Sequence, residues 1–507
     1  MKIFKPLRKV FVCSRNTKDF EIRGYFGIED PEIWGYFNIK NFEIRGFICK
    51  FALGFTSKVI KIMRIFKRKI YNQLLNWKTR SNGKTAVLVE GARRVGKSTI
   101  VRQFAEKEYK SYILIDFSIA GNDIIELFDH INELNYVFMQ LQYHYRVKLF
   151  ERKSLIIFDE VQMCPKARQA IKHLVADGRY DYIETGSLIS IHKNVQNIVI
   201  PSEEQRISML PMDYEEFKWA MGDNVSMELL RETFEKRTSL GDGLNRKLMR
   251  DFRLYMLVGG MPQSVNAFLD TNNMEEVDMV KRNIISLYEE DFHKIDPSGR
   301  ISMLFDAIPS QLGKNASRYQ VTSVIGNTTS DTTKSQLISQ LQESMTINMA
   351  YHANDPGVGM SLNMDMNRYK MYVGDTGLFV TLAFKDKDFT ENIIYQKLLS
   401  DKIDANLGYV YENVVAQMLR ASGNRLFYYT FPTETGKHNY EVDFLLSRGN
   451  KVYPIEVKSS GYKRHASIDA FCQKYPSRIQ QRFLIYTKDL QRDGQTMFLP
   501  VYLTPFL

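Results

Sequence analysis

The sequence has few cysteines and no long apolar run. Its 507 residues include four cysteines, which lie far apart at Cys13, Cys49, Cys164 and Cys472. This spacing excludes a disulfide framework and a cysteine zinc site, and it is typical of the reducing cytoplasm. No window approaches the roughly 20 apolar residues that a membrane-spanning helix requires, and the first residues lack the apolar stretch of a secretory signal. We therefore expect a cytoplasmic protein with no membrane partner.

Most of the chain carries no excess of positive charge. The net charge is +11, but residues 1–80 hold 18 Lys and Arg against 6 Asp and Glu, whereas the remainder holds 51 and 52. The basic excess therefore belongs to the N-terminal segment. Because it is local, the overall charge is weak evidence for nucleic-acid binding.

Residues 1–62 are repetitive, unlike the rest of the chain. A Gly-aromatic pair recurs every 11 residues, at Gly24-Tyr25, Gly35-Tyr36 and Gly46-Phe47. We expect a poorly ordered basic extension ahead of a functional start at Met63. The alternative is that its arginine and aromatic side chains stack on single-stranded nucleic acid. Basic and apolar residues alternate over 58–69 and predict an amphipathic helix, packed on the following domain or lying on a membrane or nucleic acid.

The most informative motif fits the pattern G-x-x-x-x-G-K-[ST]. An apolar, β-branched strand over residues 86–90 precedes it, and residues 98–106 after it read as a helix. The candidate phosphate-binding residues are Gly91, Ala92, Arg93, Arg94, Val95, Gly96, Lys97, Ser98 and Thr99. Strand, glycine loop and helix start together predict a P-loop.

The chemistry of a P-loop requires these residue types at this spacing. Backbone N–H groups and the positive end of the helix dipole surround an anion. Gly91 and Gly96 let the backbone approach phosphate oxygens, Lys97 reaches the β- and γ-phosphates, and Ser98 offers a hydroxyl to Mg²⁺. The motif therefore predicts ATP and Mg²⁺ as ligands.

A second element supports this interpretation. Residues 154–158 form an apolar run that ends in Asp159 and Glu160, the pattern of a Walker B strand. Carboxylates at the end of a parallel strand lie beside the ligand crevice of an open α/β sheet. We expect Asp159 to ligate Mg²⁺ and Glu160 to orient the attacking water. Thr185 ends the next strand, where a polar side chain can sense the γ-phosphate, with Ser187 as the rival.

A third group of candidate residues lies near the C-terminus. Residues 440–446 and 452–458 predict a hairpin in which Asp443 can face Glu456, with Lys458 on the same face two residues later. Two carboxylates can hold Mg²⁺, and Lys458 can position or deprotonate a water for attack on phosphorus. Glu412, on a helix predicted over 409–419, is a third acid. The alternative is an amphipathic hairpin with a salt-bridged face.

From residue 63 onward, the chain resembles a prokaryotic family of AAA-type P-loop ATPases with a C-terminal restriction-endonuclease-like, PD-(D/E)XK, domain of unknown function. The motifs that carry this resemblance lie at residues 91–99, 155–160, 184–187, 210–217, 259–262, 372–378 and 441–458. The resemblance implies that Arg206, just before the Leu-Pro block, acts as an arginine finger in a neighbouring subunit of a homo-oligomer. Residues 1–62 depart from the family pattern, and the family's links are to DNA transactions or defence.

The element pattern predicts an α/β protein with several domains. Strands alternate with helices from about residue 84 to 200, which indicates a parallel sheet. Mostly helical sequence follows to about residue 298, and Gly259-Gly260-Met261-Pro262 must break that run. Three helices over 301–312, 320–326 and 332–343, followed by strands over 347–351 and 369–373, are the winged-helix pattern. The expected domains are the extension (1–62), AAA-type ATPase core (63–222), helical lid (223–298), winged-helix module (299–375) and restriction-endonuclease-like domain (376–507).

Taken together, the motifs predict an ATPase. Its nucleotide state is expected to control a C-terminal domain that associates with DNA and acts as a Mg²⁺-dependent endonuclease. The third predicted helix carries Lys334 but no arginine, so the winged helix fits DNA contact and protein contact equally. The competing hypothesis is a non-nucleolytic, ATP-dependent signalling or assembly switch that contacts a protein partner. A small-molecule kinase would need an acceptor site that the sequence does not show.

Overall fold

The computed structural model describes residues 11–16, 19–24, 64–186, 202–314, 316–386, 392–400, 408–436 and 438–507. The chain divides into two compact units, Met1–Met63 and Arg64–Leu507. In the first unit, β1 (Phe11–Asn16) pairs antiparallel with β2 (Asp19–Gly24), a hairpin that the sequence does not predict. The repeats at Gly35 and Gly46, and the expected start at Met63, lie outside the described residues.

A five-stranded parallel sheet forms the first part of the second unit, as the alternation of strands and helices predicts. Its order is β4-β5-β6-β3-β7, with β3 (Ala86–Glu90), β4 (Ser111–Asp116), β5 (Ser154–Asp159), β6 (Asp181–Gly186) and β7 (Glu204–Ser208). Strands β3, β5 and β6 are buried along their whole length, which is why they read as apolar runs. The helices around this sheet are α1 (Ile70–Ser81), α2 (Lys97–Glu108), α3 (Asn122–Glu126), α4 (Leu134–Tyr145) and α5 (Pro165–Asp177).

The amphipathic helix predicted over 58–69 is wrong in its described part. Residues 64–69 precede the helix, which begins at Ile70. The physical reason lies in Arg68, whose side chain turns inward and is only 7% exposed. This segment is therefore held by a buried arginine rather than by an apolar helix face.

Mostly helical sequence follows, as predicted. It forms α6 (Tyr214–Ala220), α7 (Ser226–Lys236), α8 (Asp242–Val258), α9 (Pro262–Thr271) and α10 (Met274–Ile295). The predicted break falls between α8 and α9, where Gly259 has a φ of +81° that favours glycine. Pro262 then occupies the start of α9, where its missing N–H costs no helical hydrogen bond.

The expected winged-helix region differs from prediction in two ways. Its first helix is split into α11 (Arg300–Asp306) and α12 (Ile308–Gly313), which precede α13 (Val321–Ile325) and α14 (Asp331–Glu343). The predicted strand pair forms from β8 (Ile347–Ala353) and β9 (Met364–Val373), which are antiparallel. However, β8 also pairs parallel with β10 (Leu426–Pro432). The expected boundary at residue 375 therefore falls within a region whose strands share one sheet.

That sheet has eight strands in the order β14-β15-β13-β12-β11-β10-β8-β9. Its remaining strands are β11 (Asn439–Arg448), β12 (Lys451–Val457), β13 (Arg482–Tyr486), β14 (Gln491–Asp493) and β15 (Thr496–Pro500). The associated helices are α15 (Thr376–Ala383), α16 (Asn392–Leu399), α17 (Gly408–Ala421) and α18 (Ala466–Lys474). Strands β11 and β12 form the predicted hairpin, and the pairing of Phe444 with Ile455 brings Asp443 opposite Glu456.

One hydrophobic core links the two sheets. The same cluster of buried residues includes Val87 and Ile157 of the parallel sheet, Tyr255 of α8, and Val414 and Phe444 of the C-terminal part. The two candidate sites therefore belong to elements that pack against one another.

Within the part of the chain that the structure describes, no helix is long and apolar enough to cross a membrane.

Candidate functional site

The P-loop lies between β3 and α2, where its sequence placed it. Gly96 has a φ of +102°, in the left-handed region that favours glycine. At Gly91, a Cβ atom would lie 2.3 Å from the backbone oxygen of Met209, so only glycine fits there. Helix α2 begins at Lys97, and its first N–H groups have no helical acceptor. The loop therefore presents the backbone donors that an anion requires.

Lys97 is turned into this loop. Its Nζ donates to the backbone oxygens of Gly91, at 2.9 Å, and Ala92, at 3.1 Å, and the residue is 7% exposed. Burial lowers the pKa of Lys97, and the nearby carboxylates of Glu160 and Asp159 oppose this change. Its ammonium group is therefore held where phosphate oxygens can replace the two carbonyls.

Ser98 and Asp159 meet at the carboxyl end of β5. The Ser98 hydroxyl donates to Asp159 Oδ1 at 2.8 Å, and the Thr185 hydroxyl donates to the same oxygen. A hydroxyl and a carboxylate oxygen from two elements form the kind of donor set that Mg²⁺ prefers. These residues therefore fit a magnesium ion. Thr185 lies beside Asp159, as predicted, whereas Ser187 lies outside the described residues.

Glu160 leaves the strand in an unusual conformation. Its φ is +54°, in the left-handed region that is costly for a residue with a side chain. The Gln162 side chain donates to Glu160 Oε2. The Glu160 amide lies 3.4 Å from the Thr185 hydroxyl. The structure thus places the predicted water-orienting carboxylate beside the predicted magnesium ligands and in contact with Gln162, which the sequence did not single out.

Arg68 is a further residue that sequence reasoning missed. Its guanidinium donates to the backbone oxygens of Val95, at 2.9 Å, and Leu210, at 2.6 Å. Its Nε lies 3.1 Å from Glu216 Oε2. Arg68 therefore ties the P-loop to the Leu-Pro block that follows β7. A single arginine in a basic segment carries no local pattern that marks it out.

Arg206 lies on β7, at the edge of the parallel sheet. Its side chain is 41% exposed, and its Nε lies 3.2 Å from Glu204 Oε1. Glu204 also pairs with the fully buried Arg168, at 3.0 Å. The guanidinium of Arg206 is thus at the surface, and its role as an arginine finger stays a prediction.

Two short segments without catalytic side chains, at residues 259–262 and 374–377, meet in the fold. We call the group Met212, Gly259, Gly260, Asp375 and Gly377 the glycine junction. The Gly260 amide donates to Asp375 Oδ2 at 2.5 Å, and Met212 N donates to the Gly260 oxygen at 2.8 Å. A Cβ at Gly377 would lie 2.6 Å from Gly259 Cα. The backbones therefore approach more closely than any side chain allows.

The glycine junction is bonded in turn to α17. Gln417 Oε1 accepts from Thr376 N at 2.8 Å, and Gln417 Nε2 donates to the Tyr255 hydroxyl at 2.9 Å. The Tyr255 hydroxyl donates to the Met212 oxygen at 2.9 Å. Asn413 binds the backbone of Val373 through both its oxygen and its nitrogen. Hence α17, which carries Glu412, is fixed to the elements beside the P-loop.

The structure brings the predicted C-terminal residues together. Lys458 Nζ lies 2.7 Å from Glu456 Oε1, and Asp443 Oδ2 accepts from the Val457 amide at 2.7 Å. Burial, and then the carboxylate of Glu412, raise the pKa of Asp443 well above its usual range. Glu441 also acts on this carboxyl group. We call Glu412, Glu441, Asp443 and Glu456 the acidic cluster.

The sequence did not predict that a second lysine enters this cluster. Lys370, on β9, is 5% exposed. Its Nζ bonds to Glu441 and lies 3.6 Å from Glu412 Oε2. Burial alone would lower the pKa of Lys370, but the attraction of Glu412 and Glu441 outweighs it and holds the pKa well above its usual range. The available signal was a charged residue inside an otherwise apolar strand, residues 369–373.

The donor set at the acidic cluster does not fit a divalent ion as folded. Among the described residues, no group of three or more His, Cys, Asp or Glu is placed to hold a metal. Glu456 Oε2 is buried without a hydrogen-bond partner, but the other Glu456 oxygen is paired with Lys458. The residues that the sequence predicted to meet do lie together. However, the ammonium groups of Lys370 and Lys458 bind the carboxylates that the predicted metal at Asp443 and Glu456 would need.

The helix predicted to read DNA offers little positive charge. Lys334 of α14 lies 2.9 Å from Asp331 of the same helix. The apolar residues Leu337, Ile338 and Leu341 are buried in the core. These contacts give DNA binding by α14 no support, and it stays a prediction.

Comparison with known families agrees with the geometry of the P-loop. Residues 83–218 match the family model described as "AAA domain". Residues 83–218 form an AAA-type ATPase domain. Residues 249–388 match a domain of unknown function, DUF8612, and residues 407–504 match another, DUF4143. ATP and Mg²⁺ are the general ligands of AAA ATPases. The DUF8612 match crosses the boundaries expected at residues 298 and 375.

Solved structures with some similarity include other ATPases. A Walker-type ATPase of Pyrococcus abyssi is 15% identical, with 63% of this chain and 96% of that chain covered and a TM-score of 0.38. Cdc6p from Pyrobaculum aerophilum is 13% identical, with 67% and 97% covered and a TM-score of 0.24. A signal transduction ATPase with a tetratricopeptide repeat sensor from Pyrococcus horikoshii is 12% identical, with 71% and 46% covered and a TM-score of 0.24. No curated protein sequence matches the chain.

Proposed function

We propose that the protein is an ATP-hydrolysing switch whose nucleotide state is passed to the C-terminal domain through the glycine junction. The observation that carries the proposal is the arrangement of Lys97, Ser98, Asp159 and Glu160 around one P-loop. A protein partner that contacts the C-terminal domain fits this proposal without any further enzymatic site.

The residues of the P-loop have distinct roles in the proposed hydrolysis. The backbone amides at the start of α2 bind phosphate, and Lys97 exchanges its carbonyl partners for β- and γ-phosphate oxygens. Ser98 and Asp159 would hold Mg²⁺, which supplies neutralisation of the triphosphate charge when bound. Glu160 orients a water molecule for attack in line with the leaving group.

Contacts from the P-loop lead toward the C-terminal domain. The Tyr288 hydroxyl donates to the Arg93 oxygen at 3.1 Å, and a Cβ at Gly96 would lie 3.7 Å from Pro262 Cγ. Pro262 ends the turn that contains Gly259 and Gly260. A shift of the P-loop on nucleotide binding would therefore press on the glycine junction.

Gly377→Ala is expected to uncouple the C-terminal domain while leaving ATP binding intact. The new methyl group would meet Gly259 Cα at 2.6 Å, and overpacking of this kind costs about 1–3 kcal/mol. Hydrogen exchange of α17 is measured with and without Mg·ATP in a Glu160→Gln background. We expect ATP to slow exchange in the parent and to have no effect in Gly377→Ala.

Gly243→Ala is the matched control, because a Cβ at Gly243 meets nothing within 4 Å. It should retain the response of α17 to ATP. The proposed coupling is contradicted if Gly377→Ala responds like the control, or if the parent shows no response although ATP is bound.

Assembly into a homo-oligomer belongs to the same proposal. The exposed guanidinium of Arg206 supports it, because a neighbouring subunit could receive this charge at its own nucleotide. To act in this way, Arg206 would have to exchange its partner Glu204 for the γ-phosphate.

DNA cleavage by the C-terminal domain is the second candidate function, and it requires a divalent ion to displace the ammonium groups of Lys370 or Lys458 from the acidic cluster. The observation that favours it is the convergence of Glu412, Asp443, Glu456 and Lys458. The candidate predicts that the full chain cleaves labelled single- or double-stranded DNA with Mg²⁺ or Mn²⁺, and that Asp443→Asn and Lys458→Ala abolish cleavage. ATP turnover measured with and without DNA reports DNA association separately. If the DNA stays intact and does not change the rate of ATP turnover, DNA cleavage is contradicted and the ATP-hydrolysing switch remains as the function.

A further inference from the structure

We propose that Lys370 is the built-in counter-ion of the acidic cluster and that the cluster, with this ammonium in place, binds no divalent cation. This inference goes beyond the proposed ATP switch and does not depend on ATP turnover. It rests on the contacts of one buried lysine and on how the carboxylates around it are used.

The position of Lys370 is fixed by its burial. A charged ammonium group in a protein interior must be paired, since removing its partners leaves a costly unpaired charge. Lys370 bonds to Glu441 and approaches Glu412, and it is only 5% exposed. On the neighbouring strand its register partner is Ala350, which offers no charge. The two carboxylates are therefore the groups that keep this lysine in place.

The remaining carboxylates of the cluster are also engaged. Glu456 pairs with Lys458, and Asp443 accepts a backbone hydrogen bond from Val457. Mg²⁺ is bound in proteins through one or two carboxylates, with water molecules completing its octahedral coordination. Glu412, Glu441 and Glu456 each face an ammonium group, so an ion that used two of them would have to displace Lys370 or Lys458. A metal ion would also lie beside two ammonium groups in a buried site, where like charges repel strongly.

Lys370 comes from outside the C-terminal family match. It lies within residues 249–388, whereas Glu412, Asp443 and Glu456 lie within residues 407–504. The preceding segment thus supplies the charge that neutralises acids of the following domain. The contact joins β9, which pairs with β8 at the edge of the C-terminal sheet, to β11 of the same sheet.

An ordinary structural ion pair would make Lys370 important for stability, so the test must measure metal binding. The full chain is prepared without nucleotide in an Asp159→Asn background, which removes the P-loop carboxylate. Mn²⁺ binding is followed by electron paramagnetic resonance. We expect the parent to show no binding that depends on Asp443. Lys370→Met should bind one Mn²⁺ at least tenfold more tightly than the parent, and adding Asp443→Asn should abolish this gain.

Lys334→Met is the control, because Lys334 also forms an ion pair but lies far from the cluster in sequence and on another element, α14; it should gain no site. Mn²⁺ binding in the parent that Asp443→Asn removes would overturn the proposal, as would a folded Lys370→Met that gains no site. If Lys370→Met does not fold, the parent titration decides. A second measurement on the parent is the rate of amine labelling of Lys370, which should be equally slow with and without Mn²⁺. Faster labelling in Mn²⁺ would mean that the ion displaces this ammonium group, and it would contradict the proposal.

Discussion

Lys97→Ala is expected to abolish detectable ATP binding and to lower ATP hydrolysis by at least about 10²–10³-fold. The Lys97 ammonium is buried in the loop, between the carbonyls of Gly91 and Ala92. No other lysine in the motif can replace it. Preorganised donors of this kind are typically worth about 2.7–4 kcal/mol of transition-state stabilisation, because they meet developing charge without reorganisation.

The measurement is steady-state ATP turnover together with nucleotide binding, on variants whose folding is checked by their unfolding transitions. Lys172→Ala is the control, since Lys172 is an exposed lysine of the same domain, on α5. Turnover in Lys97→Ala that stays within about tenfold of the parent would refute the assignment of the P-loop.

Glu160→Gln should separate binding from chemistry. The substitution keeps the size of the side chain but removes the charge that polarises water, so we expect ATP to bind with little change while hydrolysis falls about 10²–10⁴-fold. General-base catalysis contributes roughly 10²–10⁴-fold, which sets this range. The left-handed backbone at Glu160 holds the carboxylate beside Thr185 and Gln162, and glutamine need not change that backbone.

Single-turnover hydrolysis and equilibrium ATP binding distinguish the two effects. Glu151→Gln, at an exposed turn before β5, controls for the loss of one acidic charge in the domain. An unchanged hydrolysis rate in Glu160→Gln would remove this residue from the mechanism. A loss of binding as large as the loss of turnover would show that Glu160 acts on structure instead.

The P-loop site could be predicted from sequence because its chemistry is local. Gly91, Gly96 and Lys97 lie close together in sequence, and their spacing alone predicts a phosphate-binding loop. Asp159 could be placed beside Ser98 because the ends of parallel strands meet at one edge of a sheet. The pairing of Asp443 with Glu456 followed from the two-residue period of strands and a short hairpin.

The rest of the architecture depends on contacts between distant segments. Arg68 reaches Leu210 across 142 positions, and Lys370 reaches Glu441 across 71. Neither contact leaves a periodic trace in the sequence. The strand pair of the expected wing does form from β8 and β9, but their membership of a larger sheet depends on the parallel pairing of β8 with the distant β10.

The glycine junction shows a third kind of limit. Gly259 and Gly260 could be recognised as turn residues, and they predict a break in the helical run. Their purpose, however, is close approach of two backbones, which depends on both partners at once. The expected effect of a single methyl group at Gly377 follows only from the assembled structure.

A calorimetric titration of the folded full chain with Mg·ATP tests the central claim most directly. The account predicts a saturable heat with one nucleotide bound per chain, and its loss in Lys97→Ala. A titration that shows neither heat nor saturation, confirmed by an independent binding assay on the same folded sample, would contradict the account.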